Sequence, residues 1–277
     1  MSARTQTAPT ARSALYEAPG PRARRRIAIG TAASAVLLVL LVLLVVRQFY
    51  VTGQLASRYW SFLLEWPTWR FLLQGFVGTV EVALTAGVIA LVLGLLLMLG
   101  RVSGIAPLSA ACRVVTDFFR GVPSLLLIYF FFLVVPQYSV QMPSFWMLTL
   151  PVALAASGVL AEVFRAGVNA VPRGQVEAAL SIGLSPAKTM RRIVLPQAVR
   201  YVIPSLIAQL VVVVKDTTVA YVVSYPDLMQ NARVLITNYD ALLSMYLVVA
   251  VIYVLINFAI NKASVYVARR TGVKIIR

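Results

Sequence analysis

The sequence has no histidine and a single cysteine, Cys112. The first absence removes the one side chain that ordinarily titrates near neutral pH, and histidine-based acid–base catalysis with it. The second excludes an intrachain disulfide and a cysteine-based metal cluster. Charge is scarce as well: only 12% of the 277 residues are Asp, Glu, Lys or Arg, against about 25% in an average soluble domain. Acids are the scarcest, nine against 25 Lys and Arg, for a net charge of +16. No G-x-x-x-x-G-K-[ST] stretch occurs, so the usual phosphate loop for ATP is missing. No nucleophile–base set stands out either, and a membrane enzyme is unsupported.

What the sequence has is apolar length. Hydrophobic residues make up 60% of it. A span of the hydrocarbon layer needs about 20 apolar residues. Runs of that kind fall at 27–46, 71–99, 118–136, 145–167, 199–224 and 241–261. The expectation is an all-α, polytopic membrane helix bundle with about six spans. Residues 1–26 read as a basic tail ending in "PRARRR", and 269–277 as a second short tail. The first apolar run is too long for a signal peptide's core and reads as an uncleaved anchor. Trp60, Trp66 and Trp69, with Tyr50 and Tyr59, make an interfacial aromatic belt after it.

The basic residues orient the spans. Only Arg47, Arg58, Arg70 and Arg233 fall on one side, Lys215 falls within a span, and all the others fall on the opposite side. Lys and Arg collect in cytoplasmic loops. Both termini and the loop at 174–195 are therefore expected in the cytoplasm, and the positive balance needs no nucleic acid. Small residues recur every fourth position in two spans, at Ala86, Ala90 and Gly94, and at Ala153, Ser157 and Ala161. That spacing lets helices approach closely in lipid.

The loop itself, "EAALSIGLSPAKTMRRIVLP" at 177–196, reads as two short helices. Residues 175–182 are good helix formers, with Glu177 expected in the first turn, where the helix dipole favours an acid. Gly183 suits the left-handed residue that ends a helix. Ser185 is expected as N-cap and Pro186 at the first helical position. The second helix carries Lys188, Arg191 and Arg192 and is expected to end near Pro196. A helix–turn–helix reader of DNA does not fit between two membrane spans. An amphipathic loop on anionic lipid and a docking element for a protein remain open on these residues alone.

The same stretch resembles the EAA loop of the membrane subunits of ATP-driven (ABC) importers for polar amino acids, in Glu177, Ala178, Ala179, Gly183, Ile193, Leu195 and Pro196. "FRGVPSLLL" (119–127), "AEVFRAGVNAVPRGQ" (161–175), "LPQAVRYVIP" (195–204) and "VKDTTVA" (214–220) resemble further segments of that family, in order, over about 75–268. The tail "LYEAPGPRARRR" resembles glutamate-uptake permeases of actinobacteria. Three departures stand out: the added helix at 27–46 beyond a five-span core, Val122 in place of the usual threonine, and no tyrosine ahead of Ala161-Glu162.

The resemblance implies a permease domain over 71–268 of the type I importer fold. Residues 27–70 are an added span with its extracytoplasmic segment. The permease would bind no cofactor and leave ATP hydrolysis to a dimer of ATP-binding cassette subunits, docked on Glu177, Ala178, Ala179, Gly183 and Pro196. A second permease, sister chain or second copy, and an extracytoplasmic binding protein would complete the assembly. Polar groups within the spans are candidates for the substrate pathway. Arg120 is either a contact for a substrate carboxylate or a topology arginine. Lys215, Asp216 and Thr217 either line the pathway or form an internal pair. Glu162, three residues from Arg165, is an amine contact, a gate or a local salt bridge. Glu81 is either solvated at the headgroups or faces a cavity. A polar amino acid, with glutamate the first choice, is the expected substrate. A gradient-driven carrier is the competing reading, with Lys215, Asp216 and Glu81 as its ion-coupling groups.

Overall fold

The computed structural model describes residues 20–270, apart from the side chains of 268–270. The expected tails therefore lie largely outside the described residues. The chain divides into two compact units, at Ser57 and Arg58. In the first unit, helix α1 runs Pro21–Val51 and has no buried residue. It begins earlier than the span expected at 27–46, because Pro21 sets the first helical φ and the arginines after it are good helix formers.

A 3₁₀ turn, Ser57–Tyr59, straddles the boundary, and a second, Ser61–Leu64, is followed by α2 (Trp66–Arg101). Next come α3 (Ala106–Gly121) and α4 (Ser124–Leu133). After them lie α5 (Ser144–Ala170), α6 (Arg173–Ser181) and α7 (Pro186–Thr189). The chain then continues through α8 (Leu195–Asp216), a 3₁₀ turn Thr217–Val223, α9 (Leu228–Tyr239) and α10 (Leu242–Arg270). Among the described residues, five helical stretches are long and apolar enough to cross a membrane, or six if the bent pair α3–α4 counts as one.

That pair corrects the straight span expected at 118–136. The chain turns by 95° between α3 and α4. Val122 is extended, at φ −85° and ψ 125°, as a residue before proline prefers. Pro123 then caps α4, whose ten residues reach only about 15 Å. Residues 225–240 hold a further helix, α9, that the hydropathy pattern does not mark.

Helix α5 is the centre of the fold, and glycines set its neighbours. A Cβ at Gly94 of α2 would stand 2.8 Å from Leu160 Cβ and 3.1 Å from the Ser157 carbonyl oxygen. One at Gly158 would stand 2.8 Å from the Arg120 nitrogen of α3, and one at Gly167 2.8 Å from the Ala198 carbonyl of α8. Both small-residue rows are buried, Ala86, Ala90 and Gly94 on α2 and Ala153, Ser157 and Ala161 on α5. In lipid this packing and its backbone proximity replace the hydrophobic drive that assembles soluble helices.

A second glycine notch holds α9. Cβ atoms at Gly75 and Gly78 would meet the carbonyl oxygens of Asp227 and Pro226. Thr79 Oγ1 accepts from the Leu228 nitrogen (3.1 Å), and Asn231 Nδ2 donates to the Phe71 carbonyl (2.7 Å). Part of the expected aromatic belt is folded into this region. Tyr59 and Phe62 are buried beside Leu72, Leu228 and Met245, and Phe62 stacks on Tyr239, whereas Trp66 and Trp69 stay exposed.

Asp227 caps α9, its Oδ1 accepting from the Gln230 nitrogen at 2.7 Å. Burial pushes its carboxyl from the usual 3.8 up to about 6, against the opposing pull of the Gln230 and Met229 N–H groups. A raised acid pKa means the folded state holds the proton more tightly. Its stabilising effect is complete below 3.8 and lost as pH rises through about 6. Asn also caps well, so Asp227→Asn removes the charge and keeps the cap. The melting temperature of the detergent-solubilised wild type should fall relative to that variant over this window. Parallel curves would show that Asp227 is not the titrating group.

Candidate functional site

The loop between α5 and α8 forms the helix–turn–helix that the sequence pattern indicates. Gly183 is left-handed, at φ +79°. The Gly183 nitrogen donates to the Leu180 carbonyl and the Leu184 nitrogen to the Ala179 carbonyl, which together close a Schellman cap. Three details differ from expectation. Helix α6 starts at Arg173, so Glu177 lies in its second turn, away from the dipole's positive end. Ser185 sits at the N-cap position in extended conformation without a side-chain cap. Pro196 does not end the second helix. Residues Met190–Val194 form a π turn, the Leu195 nitrogen donates to the Met190 carbonyl, and the chain continues into α8. The wider turn carries the chain past a proline that has no N–H to give.

Glu177, Ala178, Leu180 and Ile182 are exposed, and Ala179 is buried. Beneath them Val171, Val194 and Ala198 pack with Val168, Val176 and Met190. With the close crossing at Gly167, this small core joins the ends of α5 and α8 into one hairpin that presents α6.

Glu162 stands on α5 two turns before this loop. Its Oε1 pairs with Arg101, from the end of α2, and its Oε2 accepts from Arg165 Nη1 at 3.1 Å. Arg120, the next-to-last residue of α3, has Nη1 3.6 Å from Glu162 Oε1 and Nη2 3.8 Å from Asp117 Oδ1. Three guanidiniums from three helices thus share one carboxylate. The Arg101 and Glu162 side chains are only 12% and 23% exposed. Removing one partner of such a pair costs about 3–5 kcal/mol, chiefly for the charge left behind. The Arg120 and Asp117 side chains are both 50% exposed, so their pairing is weak. The charge pattern had Arg101 only as a topology residue. Its partner lies 61 positions away, and no local spacing relates the two.

Lys215 and Asp216 end α8, where the helix tightens into the 3₁₀ turn. Lys215 is exposed and Asp216 half-buried. Ser124, first residue of α4, stands beside the Asp216 carboxylate. Thr217 is fully buried and donates to the Val214 carbonyl at 2.9 Å, so it holds the turn. Glu81 is exposed and accepts from the Tyr225 hydroxyl at 3.4 Å. Burial first, then the charge of Glu81, pushes that hydroxyl up to about 12, so it keeps its proton as donor. The cluster at Glu162 and Arg120 and the pair at Lys215-Asp216 are thus two groups, joined by the elbow 121–124. An apolar cavity of about 460 Å³ between α2, α8 and α10, lined by Phe76, Leu210, Val214 and Ile256, carries no charge and does not suit a polar ligand.

A part-buried ion cluster in a bundle of membrane-length helices, with an exposed helical hairpin beside it, fits a membrane permease. Residues 88–273 match the family described as binding-protein-dependent transport system inner membrane component, and the chain belongs to that family. It is 32% identical over 222 residues to the glutamate transport system permease protein GluD of Corynebacterium glutamicum, covering 79% of this chain and 81% of the relative. It is 31% identical to the probable glutamine ABC transporter permease protein GlnP of Bacillus subtilis, over 74% of this chain and 93% of that one. A crystal structure of an amino acid ABC transporter with histidines matches with TM-score 0.71 and 27% identity, over 76% of this chain and 98% of the other. The inward-facing methionine transporter MetNI shares the fold, with TM-score 0.63 and 19% identity over 75% of this chain and 99% of the other.

Gly158 fixes Arg120 beside Glu162, and Gly121 has open space around its α-carbon. Gly158→Val should therefore destabilise the protein by about 1–3 kcal/mol through overpacking. Gly121→Ala should leave the melting temperature of the solubilised protein nearly unchanged. Equal shifts in the two variants would contradict the close crossing.

Proposed function

We infer that the chain is the membrane-spanning subunit of an ATP-driven amino-acid importer, and that its substrate is glutamate. The observation that carries the coupling role is the exposed α6 on its rigid hairpin. Glu177 and the small Ala178 lie open there, with Leu180 and Ile182 as apolar anchors. Ala179, Gly183 and Pro196 shape that surface from within. A dimer of ATP-binding cassette subunits docks on it, hydrolyses the ATP, and drives the permease between two states. A second permease, a sister chain or another copy, completes the pathway. An extracytoplasmic binding protein delivers the substrate, in keeping with the family's description. The excess of Lys and Arg puts both termini and α6 in the cytoplasm of the host cell.

Lys215 and Asp216 supply opposite charges for a zwitterion, Lys215 meeting a carboxylate and Asp216 the amine. Thr217 holds the turn that presents them. Arg120 offers a forked partner to a second carboxylate as the substrate leaves, close to Glu162. Similarity to glutamate and glutamine permeases supports an acidic or amide amino acid, and the excess of cations along this route favours the acid.

The test is uptake of labelled glutamate into vesicles holding the permease with its cassette subunits and binding protein. Uptake should need ATP hydrolysis and be competed by aspartate more than by arginine. A β-branched residue at Gly183 should cost of order 1–3 kcal/mol in strain and lower ATP-coupled uptake about tenfold or more. Uptake that persists undiminished without ATP hydrolysis would establish a gradient-driven carrier instead. Lys215→Ala should raise the KM for glutamate about tenfold or more while the complex still assembles. Loss of assembly would mark Lys215 as a structural partner.

A further inference from the structure

Arg120 stands between two acceptors. Its guanidinium is 3.6 Å from Glu162 on α5 and 3.8 Å from Asp117 on its own helix. Neither distance is a hydrogen bond, and half of the side chain is exposed. Arg101 and Arg165, by contrast, are both hydrogen-bonded to Glu162. One guanidinium of the three is therefore free to exchange partners at little cost.

What that exchange controls follows from the chain around it. Arg120 is followed at once by the elbow, where Gly121 meets no neighbour and Val122 is extended. Beyond the elbow, Ser124 stands beside Asp216. On the other side, Glu162 belongs to the helix that runs directly into α6, and the small core at Val171, Val194 and Ala198 makes that hairpin rigid. Paired with Glu162, Arg120 ties the elbow to α5. Paired with Asp117, it gives up that ionic tie and leaves only the backbone packing at Gly158 between the end of α3 and α5.

We propose that Arg120 is a two-position ionic latch, exchanging between Glu162 and Asp117, that transmits movement of the coupling hairpin to the α3–α4 elbow and so to Ser124 and Asp216. Glu162 and Asp117 are positioning residues in this scheme. It rests on the importer reading above. Two carboxylates within reach of a single arginine offer the element two alternative pairings, which interfaces and packed cores need to pass on a small shift.

The experiment uses the complete complex in vesicles and reads glutamate taken up per ATP hydrolysed. Wild type comes first: ATP-independent uptake there would remove the importer reading itself and leave the latch without a motor. With ATP-driven uptake established, Glu162→Gln should hand Arg120 to Asp117 and lower the uptake per ATP about tenfold. Asp117→Asn should hold Arg120 on Glu162 and slow uptake and ATP hydrolysis together, keeping their ratio. A static ion cluster predicts no effect of Asp117→Asn, and that result would overturn the latch. If Glu162→Gln fails to assemble, Arg120→Gln replaces it, since that side chain is half exposed. It should lower the uptake per ATP about tenfold. A ratio left intact, with or without a raised KM, would leave Arg120 as a substrate contact alone and sink the latch.

Discussion

The backbone proximity of α5 to three neighbours is the constraint on which the rest of this permease depends. Gly94, Gly158 and Gly167 lie where α2, α3 and α8 come closest to it, and none leaves room for a Cβ. Lipid offers no hydrophobic reward for helix association, so contact must come from dispersion at short range. The same closeness has a functional yield. Gly158 brings the end of α3 beside α5, which puts Arg120 within reach of Glu162. Gly167 brings α5 against α8 at the two ends of the loop that carries α6.

Much of this was legible in the residues. Apolar length marked five of the six spans, and the every-fourth-residue rows of Ala, Gly and Ser marked the faces that pack. Gly183 announced the Schellman cap because few other residues take a left-handed φ without strain. The failures have local causes. Hydropathy reports polarity and not direction, so an apolar run that turns by 95° at Val122-Pro123 looked like one span. Pro196 looked like a stop because the rule assumes α-helical bonding, which a π turn relaxes. Helix α9 carries a capping signal, Asp227 with Gln230 three residues later, but no apolar run to mark it.

The candidate site was legible as a set of residue types and not as an arrangement. Lys215, Asp216, Glu162 and Arg120 stood out because charge within a span is expensive. Their grouping was not visible. Arg101 reaches Glu162 only because α2 and α5 cross at Gly94, and Ser124 reaches Asp216 only because the elbow folds α4 back. Thr217 looked like a lining hydroxyl from its neighbours, yet a 3₁₀ turn rotates it inward to its own backbone.

The distribution of exposure separates scaffold from working parts. Asp227 and Thr79 are closed off at the foot of α9, where Asp227 Oδ1 caps the helix and Thr79 takes the Leu228 N–H. Such a junction rigidifies and does not exchange. Lys215, Arg120 and Asp117 are exposed instead. A tightly buried ion pair would hold one geometry, because leaving it strands a charge in a poor dielectric. A fully solvated one would hold none. The half-exposed arginine at the elbow sits between these limits. There the energy of pairing is small enough to be reversed by a partner's movement and large enough to depend on it.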